Sequence, residues 1–463
     1  MKLKTKANLA MGAFLCACLI PSVGMLALPE APPAANQKLA PPPSLTTQDG
    51  GINPKVLDEA AGYIAGHFAL RQRFITANAA LEAAVFHTSA QDSVVLGKDG
   101  WLFYRETLDD YLHTGPLSER ELFGAARTLA LLTEYAQNHG ARLIFTVAPN
   151  KASLYPEYLP YVGQPLEGQD DIDRLVPLLE AQGVDYVDLF APFREAGQVL
   201  YHAADSHWTN RGAALAHDTL MEALGMDGWA EWFTLPGHTA KTHRGDLYEM
   251  LYPTGSGLGD EFTFDRPFTF SAVRPIRSAE DQRIETENPA RTRSLLMFRD
   301  SFGNTLYPFL AEEFGHAVFS RPMPWQMSLL EESGADTVII ELVERNLDNL
   351  ASRPPIFPAP ERVLTGQPPQ GVAAAQVTVV EDGSLPEYVR LEGALSGPVD
   401  WDSPVYVQLG ETLYEASPAG QSEGVPFTLY VPEHPALEDV RVLYLSGGQL
   451  FETGQIFVKE VNP

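Results

Sequence analysis

Apolar positions along this chain follow two alternating rhythms. Compact apolar runs at 141–148, 184–189, 294–298 and 336–342 are bounded by polar or turn-forming residues and have the length of strands buried on both faces. Around them apolar residues recur with helical spacing, at 118–140, at 170–182 and after Asn210. That asparagine is placed to cap a helix whose Ala213, Ala216, Leu220 and Leu224 share one face. A longer helix is predicted over 56–86, where Ala60, Ile64, Phe68, Phe74 and Leu81 line one broad face with no internal proline. Two short strands follow within 94–104, folded around the Lys98-Asp99-Gly100 turn. Strand and helix in alternation predict an α/β fold with a mainly parallel sheet covered by helices. The segment 237–291, rich in glycine, proline and charge, interrupts the alternation and suggests an insertion covering an active site.

Beyond Arg353-Pro354-Pro355 only strand-like runs remain. Those at 376–380, 388–391, 405–409, 427–431, 440–445 and 455–458 are separated by Gly, Pro and Asp, which predicts a separate β-sandwich of about 100 residues. The expected plan is a leader over 1–28, a proline-rich linker over 29–50, a catalytic domain over 51–352 and an accessory domain over 356–463.

Composition narrows the range of partners. The 463 residues are 45% hydrophobic and 20% charged, as in ordinary globular protein. Lys and Arg number 32 against 60 Asp and Glu, and the net charge of -28 argues against nucleic acid and against adhesion to anionic lipid by charge. Lys2, Lys4 and Lys6 precede residues 7–28, a stretch of 22 without a charged side chain, long enough for a bilayer span. Export is expected, with this segment either retained as a membrane anchor or cleaved as a signal peptide. Cys16 and Cys18 both fall inside it, so the exported part carries no thiol for a disulfide, a thiolate-bound metal or cysteine catalysis. Any nucleophile is then an oxygen.

Arg299-Asp300-Ser301-Phe302-Gly303 directly follows the 294–298 run, which places Ser301 where a strand ends and a helix begins. A hydroxyl there is rigid and exposed, and amides at the helix start are placed to stabilise an oxyanion. Such a serine needs a base, and the base needs an acid that fixes its tautomer. His207 and Asp205, in the loop after 184–189, meet that need: an Asp-x-His pair turns its carboxylate to one ring nitrogen and leaves the other for the serine. His202, His217, His238 and His243 have no equally placed acid in the sequence. Helix capping is the competing reading of both stretches. A metal on Asp205 and His207 would want a third ligand, and none stands at a recognisable spacing; no metal or other cofactor is expected. Trp208, Trp101, Lys151 and Tyr155 are candidate substrate contacts, with core packing as the alternative. Arg244-Gly245-Asp246 is taken as loop, and Pro308 is expected to split the helix after Ser301 into two.

The strand, Asp-Ser and helix of 295–310 resemble the nucleophile block of SGNH hydrolases, and 335–346 looks like their next strand with its oxyanion asparagine. Asp205 and His207, followed by Asn210 and Gly212, look like their Asp/His block. Here that block precedes the serine, so the chain looks circularly rearranged. Together with Gly97-Lys98-Asp99-Gly100-Trp101-Leu102-Phe103, Pro149-Asn150-Lys151 and Tyr155-Pro156-Glu157, the order resembles the SGNH-like alginate O-acetylation proteins (AlgX/AlgJ type). It is closer still to the bacterial DHHW proteins.

The resemblance covers 94–349 and implies an SGNH-like parallel sheet with flanking helices, joined to the C-terminal β-sandwich. It also implies an acyl-serine mechanism. Asp205 orients His207, His207 takes the proton of Ser301, and the serine passes an acetyl group to a sugar hydroxyl or to water. Expected oxyanion donors are the Ser301 amide and Arg345 or Asn346, although the loop before Asn346 lacks the usual glycine. Implied partners are a polysaccharide acceptor and an acetyl donor reached through a membrane acyltransferase, on the outer face of a bacterial membrane. Three functions stay open: an extracellular O-acyltransferase, a carbohydrate O-acetylesterase with the same residues, and a non-catalytic glycan-binding or envelope-assembly protein.

Overall fold

The computed structural model describes residues 8, 11–12, 24–25, 39–47, 50–363, 366–380, 383–420, 424–432 and 440–460. Nearly all of the expected leader, with Cys16 and Cys18, and much of the expected linker lie outside the described residues. Among the described residues no helix is long and apolar enough to cross a membrane.

The folded chain begins with helices α1 (Val56–His67) and α2 (Arg71–Phe86), where one helix over 56–86 was expected. The break falls at 68–70: Phe68 turns extended and Leu70 is left-handed with φ 63°. The apolar stripe that suggested one straight helix meets no core. Ile64, Phe74 and Leu81 are 52%, 46% and 57% exposed, so tertiary packing supplies no force to keep the two pieces in line. Next, β1 (Val94–Leu96) and β2 (Leu102–Tyr104) pair antiparallel around a turn in which Asp99 and Gly100 both have positive φ. Helix α3 (Glu119–Asn138) starts on a capping box: the Ser118 hydroxyl accepts the Glu121 N–H at 3.3 Å, and the Glu121 carboxylate accepts the Ser118 N–H at 2.8 Å.

The central sheet has seven strands. Its members are β3 (Arg142–Ala148), β4 (Tyr186–Val187) and, after the separate hairpin of β5 (Gly237–His243) and β6 (Gly259–Phe264), β7 (Ser271–Ala272), β8 (Arg283–Glu287), β9 (Ser294–Phe298), β10 (His316–Ser320) and β11 (Thr337–Val343). The spatial order is β4-β3-β11-β9-β10-β8-β7, parallel from β4 to β10 and antiparallel at the β8–β7 edge. The 237–291 segment is therefore more than a cover, because its last two strands extend the sheet.

Counted from the serine-bearing strand, β9, β10, β11, β3 and β4 lie side by side in the order 2-1-3-4-5. This is a doubly wound sheet entered at its fourth strand, the circular rearrangement expected above. In such sheets ligands sit beyond the carboxyl ends of the strands at the switch point between strands 1 and 3. Here that point lies between β9 and β11.

Alternate residues serve opposite faces. Ile144, Leu295, Met297 and Ile339 pack under α5 (Asn210–Ala223) and α7 (Gly303–Glu313), while Leu143, Phe145, Leu296 and Val338 pack against α3 and α4 (Asp171–Ala181). Thr209, not Asn210, caps α5 by accepting the Gly212 N–H at 3.3 Å; Asn210 instead donates to the Phe262 carbonyl at 2.8 Å. Helix α7 runs unbroken through Pro308. The proline stands in the middle of the helix, where its missing N–H forgoes the bond to the Asn304 carbonyl.

The C-terminal domain is strand-rich, as expected. Strands Gln449–Glu452 and Gln455–Glu460 are neighbours in the chain yet stand at opposite ends of one hydrogen-bonded sheet. The sheet therefore curls until its ends approach, around Val377, Leu391, Val407, Phe427 and Val442. One strand absent from the prediction, Thr412–Pro418, carries buried Glu415, which accepts from Arg127 of α3 at 2.6 Å and from Arg362 at 2.7 Å; Arg362 also holds Glu134 of α3 at 2.6 Å. This network ties the domain to the helical layer.

Candidate active site

Strand β9 ends at Phe298, and Ser301 sits in the turn before α7, beside the switch point. Asp205 and His207 arrive on the loop before α5, which is closed by the backbone bridge between Tyr201 and Trp208. His207 Nε2 lies 2.8 Å from Ser301 Oγ, and Nδ1 lies 2.7 Å from Asp205 Oδ1. The three residues singled out from sequence are thus brought into one hydrogen-bonded row. A carboxylate at Nδ1 keeps the proton there and leaves the Nε2 lone pair facing the serine. Burial disfavours charge on His207, but the hydrogen bond and charge of Asp205 outweigh it and raise the imidazole above its ordinary value. Asp205 is also buried, yet hydrogen bonds from His207 and His243 hold it well below the usual carboxylate range.

The second oxygen of Asp205 reaches residues that sequence reasoning missed. Oδ2 accepts the Asp246 N–H at 2.9 Å and faces His243 Nε2 at 2.8 Å. His243 ends β5 and Asp246 opens α6 (Asp246–Leu251), joined by the strap Arg244-Gly245; Arg244-Gly245-Asp246 was taken above as plain loop. Gly245 permits the approach, because a Cβ there would lie 2.1 Å from the Ala204 carbonyl oxygen. The Asp246 carboxylate accepts from the Ser206 N–H at 2.8 Å and from the Ser206 hydroxyl, and lies 3.6 Å from His207 Nδ1. Burial and the neighbouring Asp205 charge raise it. His202 stacks on His243 with ring centres 3.7 Å apart and planes 8° apart, and faces Glu261 at 3.2 Å. His217 meets Asp218 at 2.8 Å and His238 meets Asp265 at 3.4 Å. All four histidines set aside for want of an acid have one, in most cases from a distant segment.

Two groups converge closely enough to raise the question of a metal: Asp205, His207 and Asp246, and His202, His243 and Glu261. In the first, both ring nitrogens of His207 are engaged in hydrogen bonds. In the second the rings lie face to face, so an ion between them would sit out of both ring planes, away from the in-plane lone pairs. Both arrangements suit hydrogen bonding rather than coordination.

Around the serine, Asp300 acts as a clamp. Its Oδ1 accepts the Phe302 N–H at 2.8 Å, and its Oδ2 accepts the Val343 N–H at 2.7 Å and Asn346 Nδ2 at 3.1 Å. The clamp fastens the serine turn to the end of β11. Asn346, one of the expected oxyanion donors, spends one of its two amide N–H groups on this clamp. Beneath the clamp the Glu341 carboxyl accepts the Asp300 N–H at 3.2 Å; full burial and the Asp300 charge push its pKa well above the usual range. The Ser301 N–H has no hydrogen-bond partner among the described residues. Arg345, the other expected donor, lies 5.6 Å from the Phe302 ring centre and 5.5 Å from that of Tyr104. Its Nη1 is buried without a hydrogen-bond partner, and its charge is felt at His207.

The candidate substrate contacts take other places. Trp208 is 1% exposed, packs edge-on against Phe302 and donates Nε1–H to the Phe302 carbonyl at 3.2 Å, so it supports the serine turn from behind. Lys151 is buried and donates to the carbonyls of His202 at 3.1 Å, Ala203 at 3.2 Å and Asp205, stitching the base-bearing loop; burial pulls its ammonium down to about 7. The Tyr155 hydroxyl accepts the Leu200 N–H at 2.9 Å. Trp101 stacks on Tyr158 at 4.1 Å and presents an edge to a cavity of about 710 Å³. That cavity is also walled by His202, Arg211, Lys241, His243 and Tyr248. Neither Ser301 nor His207 is among the residues that line it. Trp208, Lys151 and Tyr155 are thus buried against the base-bearing loop and its surroundings, while Trp101 lines the cavity.

Residues 94–265 match the family described as "SGNH hydrolase-like domain, acetyltransferase AlgX", a span that includes Asp205, His207, His243 and Asp246 and ends before Ser301. The chain is 30% identical over 184 residues to the probable alginate O-acetylase AlgJ of Pseudomonas aeruginosa, covering 37% of this chain and 44% of that protein. It is 27% identical over 208 residues to the probable alginate O-acetylase AlgJ of Pseudomonas putida, covering 43% and 52%. The match thus spans about half the length of these relatives. Among solved structures, a DHHW family protein from Eubacterium siraeum aligns with 18% identity and a TM-score of 0.42, covering 56% of this chain and 97% of that one. The resemblance to the alginate O-acetylation proteins stated from sequence is found.

Proposed function

We propose that this chain is a serine O-acetyltransferase that modifies polysaccharide hydroxyls on the outer side of a bacterial membrane. The observation that carries the reading is the 2.8 Å contact between Ser301 Oγ and His207 Nε2, backed by Asp205 at the switch point of the sheet. The similarity to proteins described as O-acetylases favours transfer over hydrolysis.

In this mechanism His207 takes the Ser301 proton as Oγ attacks the carbonyl carbon of an acetyl ester. Negative charge forms on the carbonyl oxygen and is met by the Ser301 N–H, with the Arg345 guanidinium beside Phe302 adding positive charge to the site. The intermediate collapses, the donor's oxygen leaves with the proton from His207, and acetyl stays on Ser301. An acceptor hydroxyl then gives its proton to His207 and attacks the acyl-serine, which releases the acetylated sugar and restores the enzyme. The charge-free N-terminal stretch and the proline-rich linker would hold the domain close to polymer and to a membrane acyltransferase supplying acetyl groups.

The test is turnover of an activated acetyl ester by the purified protein with and without glycan oligomers. Ser301→Ala and His207→Ala are each expected to lower turnover by about 10³-fold or more, and mass spectrometry should find acetylated oligomers. Unchanged turnover in both variants would contradict the mechanism. Acetate release without acetylated oligomers would make the protein an esterase.

A further inference from the structure

We propose that His243 is a positioning residue for the base: it shares the Asp205 carboxylate with His207, and its charge governs how strongly that carboxylate holds the His207 proton. The proposal rests on the acyl-serine reading above and adds to it a second imidazole that the reaction scheme does not use.

The geometry is that of a carboxylate with every acceptor position filled. Asp205 Oδ1 takes the Nδ1 and backbone N–H of His207, at 2.7 and 2.8 Å, and Oδ2 takes His243 Nε2 and the Asp246 N–H, at 2.8 and 2.9 Å. Four donors leave the carboxylate no freedom to turn, so what happens at Oδ2 is transmitted to Oδ1. His243 is itself fixed. Its ring lies flat on His202, and His202 is held by the Asp260 carbonyl at 3.1 Å and by Glu261 at 3.2 Å. The two ends of the row differ in access to solvent: the Asp205 side chain is 6% exposed, whereas that of His243 is 29% exposed and lines the cavity of about 710 Å³.

The charges around His243 are mostly negative. Asp205 and Asp246 face it from the base-bearing loop and from α6, and Glu261 from β6, with His202 as its stacking partner. Lys151 lies beneath the loop carbonyls, and Lys241 is exposed two residues upstream on β5. Burial opposes protonation of His243, but the hydrogen bond and charge of Asp205, helped by Glu261 and Asp246, outweigh it and raise the imidazole above its ordinary value.

A protonated His243 competes with His207 for the Asp205 charge, so His207 releases its proton at a lower pH than it would alone. The base must be neutral to act. Loss of the His243 charge therefore moves the acid limb of the activity profile to higher pH.

The experiment is the pH profile of kcat/KM on an activated acetyl ester for the full protein, for His243→Gln and for His243→Ala. Glutamine keeps a donor toward Asp205 without the charge; alanine keeps neither. His243→Gln is expected to hold the plateau within severalfold and to raise the acid limb by roughly half a pH unit or more. His243→Ala should show the same rise with about tenfold or greater loss at the plateau. If the alanine variant fails to fold, the glutamine profile alone decides. A loss at all pH values with the limb unmoved is what a merely structural histidine gives, and it overturns the proposal, as does a wild-type profile in His243→Gln. Turnover that survives Ser301→Ala would instead defeat the acyl-serine reading, so the two failures are distinguishable.

Discussion

Asp205 and Asp300 organise the two halves of the site, and they are built differently. Asp205 divides its oxygens between two imidazoles and two backbone amides, partners that include groups able to gain and lose protons. Asp300 spends its oxygens on the amides of Phe302 and Val343 and on Asn346, above a Glu341 whose carboxyl burial pushes well above the usual range. The same side chain tunes a base in one place and fixes backbone geometry in the other. The difference lies in what the donors are, more than in the aspartate itself.

Neutralising each carboxylate separates the two roles. Asp205→Asn removes the charge behind His207, favours the wrong tautomer and turns an amide donor toward another N–H, so kcat should fall by about 10³–10⁴-fold together with a lower melting temperature. Asp300→Asn turns an amide donor toward the Val343 N–H or Asn346, which loosens the serine turn. Activity should fall only about 10–100-fold, together with a lower melting temperature. Kinetics and calorimetry on both variants check the contrast, and equal kinetic losses would erase it.

Gly245 sharpens the comparison from the Asp205 side. Gly245→Ala drives a methyl group into the Ala204 carbonyl and lifts the strap from Asp205 Oδ2, and about tenfold lower kcat/KM is expected while Asp300 is untouched. The smallest effect concerns pH and stability. Burial and nearby Asp110 raise Glu344 from its ordinary 4.5 to about 8. The folded state then binds this proton more tightly than the unfolded state, and the stabilisation is complete below 4.5 and is lost as pH rises toward 8. Thermal melts of Glu344→Gln across that window should show a flatter decline than the wild type.

The same division explains what could be read in advance. Asp205 and His207 stand two residues apart on one loop, and Ser301 follows an unmistakable buried run, so local pattern sufficed to pair them. The parallel sheet was legible for the same reason in β3, β4, β9 and β11, each a compact apolar stretch, whereas β7, β8 and β10 are short or mixed in polarity and were not read. His243 and Asp246 join Asp205 from 38 and 41 residues away across a strap that only Gly245 allows, and no local spacing encodes that meeting. Asn346 was expected to face an oxyanion; that one of its amide N–H groups goes to Asp300, 46 residues upstream, no local spacing encodes. Trp208 and Lys151 looked like ligands because they flank the chemistry, yet a rigid loop needs such side chains beneath it. The stripe over 56–86 failed in the opposite direction, as helical spacing without an opposing surface.

The most direct measurement is intact-protein and peptide mass spectrometry after a brief exposure to an activated acetyl ester. One acetyl group should appear on the peptide containing Ser301, vanish in Ser301→Ala, and disappear from the wild type when glycan oligomers are added, as acetylated oligomer forms. Acetylation elsewhere with Ser301 unmodified, or an adduct that persists in Ser301→Ala, would contradict the acyl-serine mechanism.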